Sequence, residues 1–125
     1  MSAIPQRRVL VVDDEPLVCD ALKMLLAVEG YAVDVANGSK EALALFKKGR
    51  YDVIVTDYEM PWMRGDKLGL EIKAQDPAQP VMMITAYGEI LMAGDGGMPG
   101  IDCVLGKPFL HEDLRLAMKT LCRAI

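Results

Sequence analysis

A chain of 125 residues, 52% hydrophobic and 26% charged, has room for one globular domain, which at this size buries roughly two-thirds of its unfolded surface. Eighteen acidic against 14 basic residues give a net charge of -4 with the basic ones dispersed, which argues against a general nucleic-acid binder and favours protein partners. No stretch approaches the eighteen or so apolar residues of a membrane span, and residues 1–8 lack the apolar segment of a secretion signal, so a cytoplasmic protein is expected.

The first apolar run, residues 9–12, reads as a strand buried on both faces. A helix over about residues 15–29 follows, with Val18, Leu22, Leu25 and Leu26 on one face, Pro16 in its first turn and Gly30 as its stop. Residues 31–36 alternate instead, Tyr31, Val33 and Val35 against Ala32, Asp34 and Ala36, which suits a half-exposed edge strand. A second helix spans about 39–48, ahead of Gly49. Residues 53–55 form the next strand and 66–74 the next helix, before Asp76-Pro77; residues 81–84 are a further strand.

Between residues 88 and 100, glycine stands at 88, 94, 96, 97 and 100, and each glycine in a helix interior costs about 1 kcal/mol relative to alanine. Only residues 89–93 read as helical, so a short or disordered fourth helix is expected. Residues 103–105 make the fifth strand. The last helix stacks Leu114, Ala117, Met118 and Leu121, with Arg115, Lys119 and Arg123 outward. This βα alternation predicts an α/β fold, an open, doubly wound parallel sheet with right-handed crossovers. Cys19, Cys103 and Cys122 lie in apolar surroundings without metal-ligand spacing and read as reduced, buried thiols.

In such a sheet, ligands bind beyond the carboxyl ends of the strands, so the polar residues that follow the apolar runs carry the information. Asp13 and Asp14 follow the first run and Asp57 the third, Thr85 ends the fourth, and Lys107 comes after the fifth. Three clustered carboxylates repel one another unless a cation neutralises them, and an all-oxygen site suits magnesium. Transfer of a phosphoryl group needs an oxygen nucleophile, a divalent cation and groups that match the spread charge. Asp57 fits the nucleophile, Asp13 and Asp14 the metal holders, Lys107 the fixed cation and Thr85 a hydroxyl donor. Singly, each has a plainer role: Asp14 as a helix cap, Asp57 as a turn residue, Thr85 as a strand end, Lys107 as a solvated lysine. Their joint placement on strand ends is what points to chemistry.

The segments VLVVDDEP at 9–16, VIVTDYEMPWMRG at 53–65, MMITAYG at 82–88 and VLGKPF at 104–109 together resemble the receiver domain of two-component response regulators over nearly the whole chain. The resemblance implies a flavodoxin-like sheet of five parallel strands, order 2-1-3-4-5, flanked by five helices, with residues 1–7 as an N-terminal extension and 8–125 as the domain. It also implies that Asp57 takes a phosphoryl group from a histidine kinase or phosphotransfer protein and so regulates a protein partner. Magnesium, for which manganese could substitute, would be held by Asp13, Asp14, Asp57 and the backbone carbonyl of Glu59. Thr85 and Lys107 would grip the acyl phosphate, and the Lys107-Pro108 bond would be cis.

Two departures from the family pattern stand out. Val104 occupies the position where many members carry a switching aromatic residue, and the glycine-rich segment lies where they place a full fourth helix. The segment 88–100 is expected either to order when Asp57 is phosphorylated or a partner docks, or to be a permanently mobile surface loop, and Tyr87, two residues after Thr85, is expected to slow dephosphorylation by its bulk. A haloacid-dehalogenase-like phosphatase also pairs an Asp nucleophile with magnesium. That family wants an Asp where Glu59 stands and a threonine where Pro61 stands. The chain ends soon after its last helix, which fits a stand-alone regulator or a domain cut from a longer protein such as a hybrid kinase.

Overall fold

A computed structural model describes residues 6–86 and 98–123. The elements run β1 (Arg8–Val12), α1 (Pro16–Val28), β2 (Ala32–Ala36), α2 (Ser39–Leu45), β3 (Val53–Asp57), α3 (Gly65–Gln75), β4 (Val81–Thr85), β5 (Cys103–Gly106) and a C-terminal helix (His111–Arg123). The five strands pair in parallel in the order β2-β1-β3-β4-β5. The expected short fourth helix and Tyr87 lie outside the described residues.

Alternation along each strand explains why helices cover both faces. Val9, Val11, Val53, Val55, Met82 and Ile84 point to one face, where Leu22 and Leu26 of α1 and Leu114 and Met118 of the C-terminal helix cover them. Leu10, Val12 and Ile54 point to the other, against Ala42 of α2 and Leu68 and Ile72 of α3. Each fully buried aliphatic side chain contributes roughly 1.5–3 kcal/mol, so the two-sided core, with Leu10, Ile54, Leu68 and Met82 all at zero exposure, fixes the sheet order and register. β2 is the half-exposed edge strand, intermediate in burial at four of its five positions.

Two local differences from expectation have physical causes. α2 stops at Leu45, because Phe46 turns extended (φ -67, ψ 131) and drives its ring into the core at 4% exposure instead of prolonging the helix. The residue before α1 that takes the cap position is Glu15, and no side chain caps that end, so Asp14 is not spent as a helix cap. Cys19 and Cys122 are buried free thiols; Cys103, on the edge strand β5, is half-buried. His111 is exposed, its Nε2 3.5 Å from Glu29 Oε2.

The loop after β3 contains Trp62 at φ 72, a left-handed backbone that L side chains enter at a cost of roughly 1–2 kcal/mol. The Met63 N–H donates to the Pro61 carbonyl (2.8 Å), closing a three-residue turn around it, and the Ser39 hydroxyl donates to the Met63 carbonyl (2.7 Å). The indole is 68% exposed and returns little burial. Trp62→Asn, which suits this backbone better, is expected to raise stability by roughly 0.5–1 kcal/mol in urea denaturation. An unchanged or lowered midpoint would show that the ring makes compensating contacts.

Candidate functional site

The strand order reverses between β1 and β3, since β1 connects outward to β2 while β3 leads through β4 to β5. At such a switch point the connections diverge and leave a crevice above the strand ends. Asp13 and Asp14 follow β1 and Asp57 ends β3 at this crevice, and one carboxylate oxygen from each lies within 4.8 Å of the others. Asp13 is buried, Asp57 half-buried and Asp14 exposed, so the cluster is floored by protein and open above.

Backbone contacts set these positions. The Asp13 N–H donates to the Ala36 carbonyl (3.1 Å), continuing the β1–β2 ladder one residue past the strand, and Asp13 Oδ1 accepts the Glu15 N–H (2.9 Å). On the β3 side, the buried Thr56 hydroxyl donates to the Asp57 carbonyl at 2.9 Å. The Gly65 N–H donates to the Tyr58 carbonyl (2.9 Å), and a Cβ on Gly65 would stand 2.1 Å from the Asp57 carbonyl oxygen. The start of α3 thus presses directly on the backbone of Asp57, an approach only glycine permits. Thr56 and Gly65 matter to the site although sequence reasoning gave them no role; the glycine that follows Met60-Pro61 was the available signal.

Lys107 arrives from β5. Its N–H donates to the Thr85 carbonyl (2.8 Å), its bond to Pro108 is cis, and its Nζ lies 3.3 Å from Asp57 Oδ1. Thr85, at 1% exposure, ends β4 in register with Gly106, one strand over from Asp57. Glu59 is exposed on the loop two residues past Asp57, and Val104 is half-buried on β5 in register with Met83. Among the sequence candidates, Asp13, Asp14, Asp57 and Lys107 are therefore brought together by measured distances, and Thr85 by strand position.

The electrostatics test whether a cation fits. Burial raises Asp13 from 3.8 to about 6, and Asp57 and Asp14 add repulsion that Lys107 only partly offsets. Asp57 is also raised, mainly by burial, against the attraction of Lys107. One ammonium faces three carboxylates, so the protein alone leaves the cluster with a surplus of negative charge. An all-oxygen, hard donor set with this surplus negative charge fits a divalent ion such as magnesium.

The sign for pH follows. Because Asp13 is raised in the folded state, metal-free protein carries its full cost above about pH 6 and is relieved of it as pH falls from there towards 3.8. Without metal, the urea midpoint is therefore expected to rise between pH 7 and pH 5. With millimolar magnesium the trend should reverse, since the cation binds the ionised carboxylates, and saturation a hundredfold above the dissociation constant adds about 2.7 kcal/mol. Asp13→Asn should weaken the magnesium effect and reduce the metal-free pH trend to the part that Asp57 contributes.

The chain matches the response regulator receiver domain over residues 9–119. It is 35% identical to the transcriptional regulatory protein ResD of Bacillus subtilis over 123 residues, 98% of this chain and 51% of that protein. It is likewise 35% identical to the transcriptional regulatory protein TrcR of Mycobacterium tuberculosis, over 93% of this chain and 45% of TrcR. The chain thus spans about half the length of these relatives. Among solved structures, the response regulator TrrA of Thermotoga maritima in complex with Mg2+-BeF superposes with a TM-score of 0.83 at 34% identity, covering 93% of this chain and 99% of that one. A receiver domain protein of Clostridium thermocellum gives 0.84 at 30% identity, covering 94% and 95%.

Fold and site together define a phosphoacceptor signalling domain rather than a conventional enzyme. The chain belongs to the response regulator receiver domain family of two-component signal transduction. Such domains act between histidine kinases and downstream effectors. Among the described residues, no helix is long and apolar enough to cross a membrane.

Proposed function

We propose that the Asp57 carboxylate of this chain accepts a phosphoryl group from a histidine kinase or a histidine phosphotransfer protein. The domain, taken as residues 8–125 behind a seven-residue extension, then regulates a downstream protein in the cytoplasm without touching nucleic acid itself. The observation that carries this is the cluster of Asp13, Asp14 and Asp57 within 4.8 Å, with Lys107 Nζ 3.3 Å from Asp57 Oδ1.

The roles follow from charge and position. Asp57 is the nucleophile: its oxygen attacks phosphorus, the donor's bond to phosphorus breaks, and the electron pair leaves with the donor. Asp13, Asp14, Asp57 and the Glu59 carbonyl would hold magnesium, with manganese able to substitute. The ion, when bound, neutralises charge on the carboxylates and on the phosphoryl oxygens. Lys107, which pairs with Asp57, would follow charge onto the phosphoryl group, and Thr85 would supply a hydroxyl from the neighbouring strand end. The domain catalyses only its own phosphorylation and slow dephosphorylation. In this reading Glu59 borders the approach of hydrolytic water. With Val104 in place of an aromatic switch, the signal leaves by another route.

The test is intact mass after incubation with acetyl phosphate and magnesium. One added phosphoryl group is expected, and none when magnesium is chelated before the donor is added; no gain under conditions that label other receivers would falsify the assignment.

A further inference from the structure

Beside the carboxylate cluster, α1 and the segment after β5 leave an open groove of about 350 Å³. Leu17, Ala21 and Leu25 of α1, the half-buried Phe109 after β5 and the buried Ile84 line it, together with Asp57 and Lys107 of the carboxylate site. The volume lies in the range of small-molecule sites, which are mostly apolar with a few polar groups that fix orientation. The fold itself does not call for this lining: Leu17 is 83% exposed and Ala21 is also exposed. Of the thirteen residues of α1, only Asp20 and Lys23 are charged, fewer than a helix with one solvent face usually carries.

We infer that this groove receives the apolar leaving group of a small acyl phosphate, so that donors with an aliphatic tail phosphorylate Asp57 in preference to acetyl phosphate. The inference rests on the phosphoacceptor reading above. Attack and departure at phosphorus are roughly in line, so the leaving group sits beyond the carboxylate cluster and its body meets whatever surface borders the site. On the α1 side that surface is hydrocarbon. In the step, an Asp57 carboxylate oxygen bonds to phosphorus, the bond from phosphorus to the acyl oxygen breaks, and its electron pair leaves on a free carboxylate. No proton transfer is required at neutral pH. Acetyl and hexanoyl phosphate release aliphatic carboxylates of similar basicity, so a difference between them reports burial of the tail rather than intrinsic reactivity.

Rates of Asp57 phosphorylation by the two donors, followed by intact mass at equal magnesium, test the idea. Hexanoyl phosphate is expected to show a second-order rate constant roughly tenfold the higher, a modest fraction of what full burial of four methylenes would give. Ala21→Trp, which fills the groove from an exposed position, should bring the ratio of the two rates close to one, and Leu17→Trp should lower it. Met24→Trp, on the exposed outer side of α1 and away from the groove, should leave the ratio as in the parent. Equal rates for both donors, or a preference that survives both groove substitutions, would overturn the groove assignment while leaving Asp57 as acceptor. Labelling by neither donor would overturn that reading as well.

Discussion

Asparagine in place of Asp57 is expected to abolish phosphoryl uptake, with intact mass unchanged after incubation with acetyl phosphate and magnesium. Asparagine keeps the shape of the side chain but removes the anionic oxygen that would attack phosphorus, and Asp13, at 2% exposure, is less open to a donor than the half-buried Asp57. The same substitution should raise the urea midpoint of metal-free protein. Burial holds the Asp57 carboxylate above its ordinary range, so its ionised form costs stability at neutral pH; a neutral amide removes that cost and the repulsion from Asp14. The pairing lost with Lys107 weighs less, since that lysine side chain is 35% exposed and well screened. Residual labelling at another carboxylate, or a lowered midpoint, would contradict this account.

Alanine at Gly65 should destabilise the fold by roughly 3 kcal/mol, the upper end for overpacking. The added Cβ would meet the Asp57 carbonyl oxygen at 2.1 Å and the Tyr58 Cα at 3.2 Å, and both are backbone atoms that cannot swing aside as a side chain can. Either α3 retreats or the end of β3 shifts, and the second outcome moves Asp57 relative to Asp13 and Lys107. Urea denaturation and the rate of labelling by acetyl phosphate separate these: lost stability with normal labelling indicates that α3 moved, slowed labelling that β3 did. Gly30→Ala offers a comparison. Nothing lies within 4 Å of its Cβ, so only the strain of φ 95 remains, a cost of roughly 1–2 kcal/mol.

The strands were legible because fully buried parallel strands leave continuous β-branched runs, and the edge strand because half-burial leaves alternation. The end of α2 was not. Residues 46–48 continue a helical pattern, and it is the burial of the Phe46 ring in the cluster shared by α2 and α3, a property of packed layers, that ends the helix. The glycine at 65 was visible as a letter, but its reason, contact with a carbonyl eight residues earlier in the chain, exists only once α3 lies against β3.

By itself the sequence determined the inventory of the site: three carboxylates, a threonine and a lysine, each within two residues of the end of an apolar run, because strand ends in a parallel sheet are where side chains can leave the core. The tertiary structure alone decided how they act on one another. Parallel pairing of β1 with β3, in a register 44 residues apart, brings Asp13 and Asp14 to Asp57, and the β4–β5 pairing delivers Lys107 from 50 residues away. The burial that raises Asp13 to about 6, and the apolar groove between α1 and Phe109, likewise arise from packed neighbours, since dielectric surroundings and cavities belong to the assembled layers and to no single segment.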